Sequence, residues 1–242
     1  MKFGSGSKLS VRTGITLAVL IVALAMPSVP LAQQCEDSLI YPAGSQPFGM
    51  AYGDWQVAYW QYVFSIPVSV NPVIDATGAD CSVAQSGGPV FFLNSAFFGA
   101  PVTRTCAVPA GKALLIPIAA WECSSVEPAP SYGANPQDMR TCAGTVMDGF
   151  GARTLKLTVD GTKISEAQKM RVQTPYFQFT MPATGNFLGL DGVTSGSSVS
   201  DAYLVMLKPL APGNHVIEFE GAFVSGPAAG ASFGVTYHLT VQ

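Results

Sequence analysis

Four cysteines in the middle third of this chain, Cys81, Cys106, Cys123 and Cys142, constrain its fold more than any other feature, and a fifth, Cys35, stands well before them. Whether they form cross-links depends on the compartment, and the N-terminus addresses that. Residues 1–13 carry Lys2, Lys8 and Arg12 and no acid. An apolar run from Ile15 to Met26 follows, then Pro27, Pro30 and Ala32. A basic head, a short apolar stretch and a small residue at the cut point are the parts of a secretory signal peptide. The run is well short of the roughly 20 residues that span a bilayer. The sequence therefore predicts a signal peptide at 1–32, cleaved near Ala32, with no stable membrane span. Residues 33–242 then form one exported domain, secreted or held in the periplasm or cell envelope.

In an oxidising compartment the four clustered cysteines are expected to form two disulfides, with Cys35 left over. Three pairings are possible. Cys81–Cys106 and Cys123–Cys142 are preferred because each closes a short loop, worth up to about 3 kcal/mol in the chain-entropy picture. A zinc site is the rival reading. It lacks a Cys-x-x-Cys pair, and His215 and His238 lie far along the chain, so no metal is expected at the cysteines.

Composition narrows the class. The chain is 48% hydrophobic and 11% charged, the opposite of a disordered segment. Its 12 basic residues against 15 acidic ones cannot supply the basic footprint of a nucleic-acid binder, so no nucleic-acid partner is expected.

Periodicity points to β structure closed by helices. Tyr52, Trp55, Tyr59 and Tyr62 recur at helical spacing, with Trp60, Val63 and Phe64 on a neighbouring face. This predicts an aromatic helix over 52–64, stopped before Pro67. A second, short helix is predicted over Pro136–Phe150. Between and after them lie short β-like runs at Val90–Leu93, Val102–Val108, Ala113–Ala119, Leu155–Val159, Arg171–Met181, Ala202–Leu207, His215–Phe219 and Ser232–Val241, with Gly-rich loops at 185–200 and 225–231. Short strands with Gly and Pro turns indicate a mainly β protein with a β-sandwich or jelly-roll-like core.

Candidate site residues follow from side-chain chemistry. Trp55 and Trp60, with Trp121, are either a stacking platform for sugar rings or plugs of the β core, and aromatics at helical spacing are mostly core. Asp75-x-Thr77-x-x-Asp80 gathers oxygen ligands, so calcium is the one cofactor the sequence suggests. Asp and Thr are also turn formers, and two carboxylates are few for a calcium loop. Asp54, Asp75, Asp80, Glu122, Glu218 and Glu220 are available for paired-carboxylate chemistry, and spacing selects no two of them. Glu218 and Glu220 share one strand face, which suits a solvent-facing row equally well.

Taken together, several segments resemble a family of uncharacterised exported bacterial proteins: Asp54-Trp55 with Trp60-Gln61; Asn71-Pro72 and Asp75-x-Thr77-Gly78-x-x-Cys81; Gln85 with Gly88-Pro89-Val90 and Phe92-Leu93; Cys106-x-Val108-Pro109-x-Gly111-Lys112; Pro117 followed by Glu122-Cys123; Pro209-Leu-x-Pro212-Gly213-x-His215-x-Ile217; and Val235-Thr236-Tyr237-His238-Leu239-Thr240-Val241. The resemblance spans nearly all of residues 33–242 and implies an exported β-rich protein. It carries no catalytic residues over. The ending is also similar, more loosely, to strands of immunoglobulin-like modules.

The expectation is thus a non-catalytic exported binding or envelope-associated protein, with a polysaccharide or cell-surface component as partner and Trp55, Trp60, Asp54, Asp75, Asp80 and Glu122 as candidate ligand contacts. The alternative is a secreted hydrolase or lyase acting on polymers through carboxylates such as Asp54, Asp75 or Glu122. A structural component of a surface layer is the third reading.

Overall fold

Strand β10 (Ser232–Val241) shows how the chain builds its core. Its Phe233, Val235, Tyr237, Leu239 and Val241 point inward while His238 and Thr240 face solvent, the period-2 pattern of a half-buried strand. The structure is a computed structural model that describes residues 1–4, 6, 39–85 and 87–242. The cleavage point at Ala32, Cys35 and nearly all of the expected signal peptide lie outside the described residues.

Among the described residues, ten strands form two five-stranded mixed sheets. One contains β1 (Val90–Phe92), β3 (Ala113–Ser124), β8 (Ser195–Leu207), β6 (Arg171–Gln173) and β7 (Phe177–Thr180), in the order β1-β3-β8-β6 with β7 also on β8. The other runs β2-β10-β9-β4-β5, where β2 is Val102–Val108, β4 Lys156–Val159, β5 Thr162–Lys163 and β9 Gly213–Ala222. The pairs β1–β3 and β2–β10 are parallel and the rest antiparallel. One continuous apolar cluster joins both sheets and the aromatic helix. The protein is mainly β, with a sandwich-like core.

Helix α1 (Tyr52–Ser65) packs on β7 and β8, and α2 (Pro136–Asp148) on β3 and β8. Cover of this kind accounts for the nearly unbroken burial along β3 and β8. Helix α1 ends at Ile66, extended ahead of Pro67, and Asn71 Nδ2 donates to the carbonyls of Val63 and Ile66 at its end. Helix α2 starts on Asn135, whose Oδ1 accepts from the amides of Gln137 and Asp138, with Pro136 in the first turn. Both expected disulfides are present, Cys81–Cys106 and Cys123–Cys142.

Several boundaries depart from the sequence reading. The run 171–181 divides into β6 and β7 around Thr174-Pro175-Tyr176, where Pro175 has no amide to donate to a ladder. Strand β3 extends past Ala119 through Trp121, Glu122 and Cys123 to Ser124. A bulge between Pro117 and Ala119 lets it pass Pro117 and continue pairing. Residues 195–200, read as loop, are the first half of β8. Their small polar residues hide a strand that pairs with both β3 and β7.

Candidate functional site

The bulge in β3 opens onto a cavity of about 350 Å³, within the range of small-molecule sites, about 300–1,000 Å³. Tyr59 and Trp60 of α1 form one wall, and Pro117 to Glu122 of β3 form another. Three loops complete it: 93–101 brings Phe97 and Phe98, 125–135 brings Glu127, and 181–194 brings Phe187 and Leu188. Phe97 stacks on Phe187 at 5.8 Å and Phe98 on Trp121 at 6.2 Å. Phe97 and Phe98 are 56% and 41% exposed, so apolar ring surface stays open to solvent at the cavity.

Arg104 holds two of these walls in place. It points inward from β2, 1% exposed, and makes five hydrogen bonds: Nε to Asp75 O, Nη2 to Val73 O, and Nη1 to Asn94 O, Ser95 O and the Tyr237 hydroxyl. Val73 and Ser95 both line the cavity. One guanidinium, with its five fixed donors, therefore ties the 71–85 loop and the 93–101 loop to the sheet.

Two features of the cavity lack an evident structural purpose. The indole nitrogens of Trp60 and Trp121 are buried and have no acceptor in the protein, although both residues line the cavity. A buried donor without a partner costs about 1–3 kcal/mol. The second feature is a carboxyl pair. Glu122, 7% exposed, lies in hydrogen-bond contact with Glu127, and both line the cavity. The Ser198 hydroxyl donates to Glu122 Oε2 at 2.5 Å, and the Ser124 hydroxyl donates to Glu127 Oε2 at 2.8 Å. Burial and then the neighbouring Glu127 hold the Glu122 carboxyl well above the usual carboxylate range, against the opposing pull of Ser198. The pair therefore favours the neutral form of Glu122 more than an exposed carboxyl would.

The six residues singled out from sequence are dispersed. Trp60 and Glu122 line the cavity. Trp55 does not: its indole N–H donates to Pro47 O at 3.0 Å, and its ring packs edge-on against Phe48. Asp54 is exposed in the first turn of α1. Asp75 accepts from the Thr77 amide and hydroxyl and from the Asp80 amide, a turn-forming pattern that occupies both of its oxygens. Those bonds outweigh the cost of its partial burial and hold its carboxyl below the usual range. Asp80 lies at the end of the same turn. Among the described residues no three His, Cys, Asp or Glu side chains group as a metal site. Glu218 and Glu220 are exposed on β9 beside Thr158 and Lys156. The carboxylates Asp54, Asp75 and Glu122 thus occupy three separate places.

Sequence reasoning missed Glu127, Phe97, Phe98 and Phe187. They come from three irregular loops with no periodicity to read, and only the pairing of β3 with β8 and the packing of α1 gather them. A second depression, of about 510 Å³, borders β7 and the start of β8. Its rim includes Gln61, which donates to Gln178 O.

No family model matches the chain, and no curated protein matches it. Solved structures similar to it include PbICP-C in complex with falcipain-2 (14% identity, TM-score 0.27), the cysteine protease inhibitor EhICP2 from Entamoeba histolytica (12%, 0.22) and Amebosin (12%, 0.18). Each alignment covers 64% of this chain and all of the other. Likeness at these TM-scores carries no argument about the chain.

Proposed function

We propose that this protein is an exported, non-catalytic binding protein whose ligand is a carbohydrate seated in the aromatic cavity beside β3. The observation that carries the reading is the pair of acceptor-less indole N–H groups, Trp60 and Trp121, in a cavity walled by stacked aromatic rings. A sugar offers the complement: an apolar ring face for stacking and hydroxyl oxygens to accept from the indoles. The two disulfides support export, since such cross-links persist in oxidising compartments. A polysaccharide at the cell surface is the natural source of such a ligand outside the cytoplasm.

The hydrolase reading has less behind it. Glycoside hydrolysis uses carboxyl groups roughly 5–9.5 Å apart, with the scissile bond between them. Glu122 and Glu127 are in direct contact instead.

Retention on insoluble polysaccharides tests the proposal. Trp60→Phe and Trp121→Phe keep a ring and delete the donor, so each is expected to weaken retention by about five- to tenfold. Trp55→Phe serves as a control, because its indole already bonds Pro47 O, and retention there is expected to be unchanged. Equal retention of all three variants and the parent would remove the cavity as the site.

A further inference from the structure

We propose that the ligand of the aromatic cavity is an amino sugar, whose ammonium group is received by Glu122 and Glu127 while its ring stacks on the aromatic walls. This rests on the carbohydrate reading above and specifies the chemical class within it. A neutral sugar would need the ring faces and the indole donors, but it gives no reason for two carboxyl groups at one wall of an otherwise apolar cavity. Burying like acids together is unfavourable unless a cation or hydrogen-bond donors compensate. Among the described residues, neither Glu122 nor Glu127 takes part in an ion pair. The groups acting on Glu122 are Glu127, from the loop after β3, and Ser198, from β8. The Ser198 and Ser124 hydroxyls serve one oxygen of each carboxyl, and among the described residues no cationic side chain forms an ion pair with either.

An ammonium group supplies a cation. Its three N–H donors can satisfy carboxylate oxygens through charge-assisted bonds, which are stronger than neutral ones. Aromatic faces around the cavity add attraction for a cation. Trp60, 8% exposed with its indole N–H unpartnered, independently marks the same cavity as awaiting an acceptor. That acceptor separates an amino sugar from a plain alkylamine, which brings the charge but no hydroxyl oxygens for Trp60 and Trp121. The chain's acidic balance, pI about 5.3, favours a polycationic glycan over an anionic one.

Titration calorimetry of the disulfide-intact protein tests this with three probes: a glucosamine tetramer, an N-acetylglucosamine tetramer and a cellulose tetramer. The glucosamine tetramer is expected to bind at least about tenfold more tightly than the two neutral probes. Glu122→Gln and Glu127→Gln should each erase the preference while leaving neutral-probe binding within about twofold. Glu127, less buried than Glu122, carries the test alone if Glu122→Gln does not fold. Equal affinity for all three probes would overturn the amino-sugar proposal and leave the carbohydrate site standing. Binding of none of them would overturn both. A preference that survives Glu127→Gln would overturn the assignment of the carboxyl pair.

Discussion

The Ser198 hydroxyl reaches the Glu122 carboxyl across 2.5 Å, from β8 to the neighbouring β3. That bond joins the central strands of the first sheet at the wall of the cavity, and it ties the site's ionisation to the stability of the fold.

Glu122 should make stability fall as pH rises. Its folded-state carboxyl holds its proton well above 4.5, whereas the unfolded chain releases it near the ordinary value. The folded state therefore binds more protons above that point. The favourable contribution is complete below about 4.5 and lost as pH climbs through the raised value, at up to about 1.4 kcal/mol per pH unit. Glu122→Gln should flatten the slope in urea unfolding as pH rises above about 4.5 and be more stable than the parent at the alkaline end. An unchanged slope would exclude Glu122 as its source.

Arg104→Lys should cost about 2–4 kcal/mol. A lysine keeps the charge but cannot spread donors over the Val73, Asp75, Asn94 and Ser95 carbonyls and the Tyr237 hydroxyl. The guanidinium-chloride midpoint measures the loss. Carbohydrate retention should fall with it, because the 71–85 and 93–101 loops lose their common anchor. A loss below about 1 kcal/mol would mean that the anchor is dispensable.

Gly78→Ala and Gly111→Ala separate backbone strain from steric overlap. Both glycines have positive φ, +89° and +82°, but a Cβ on Gly78 would lie 2.4 Å from Thr105 O, while one on Gly111 meets open space. Gly111→Ala should cost about 1 kcal/mol and Gly78→Ala at least about 2–3 kcal/mol. Thermal unfolding of the two variants decides it, and equal costs would contradict the close approach of the Thr77–Gly78 turn to β2.

His215 should titrate above 6.5. Partial burial opposes the charged ring, but the bond from Nδ1 to Asp160 and the one from Nε2 to Ala211 O outweigh it. Its stabilisation is present below 6.5 and fades as pH rises through the raised value. Following the His215 ring resonances by NMR should place the midpoint above that of an exposed histidine. Asp160→Asn should bring it down, and a midpoint that does not move would assign the shift elsewhere.

Much of the fold was legible because its signals are local. Strands β2 and β10 follow the predicted spans Val102–Val108 and Ser232–Val241, since alternation survives wherever one face meets the core. Both disulfides could be chosen on loop length. The motif residues Asn71, Asp75 and Gln85 stood out in sequence, and each fastens a loop: Asn71 closes α1, Asp75 forms its turn, and Gln85 bonds both Phe92 N and Phe92 O at the edge strand β1. Arg104 was not legible as a core residue, because a lone arginine in an alternating strand reads as surface until five acceptors are seen around it.

The sequence by itself determined the class of element along most of the chain, the cross-links and the aromatic character of α1, all of which depend on short-range spacing. Tertiary structure alone decided that Glu122 meets Glu127, that Trp55 is bonded away while Trp60 is not, and that Phe97, Phe98 and Phe187 share a wall. The physical reason is that a binding cavity is made by segments distant in sequence, whose meeting depends on strand order, on the bulge at Pro117–Ala119 and on loops without periodicity. A carboxyl group on a strand has no sequence signal for the neighbour that holds its proton.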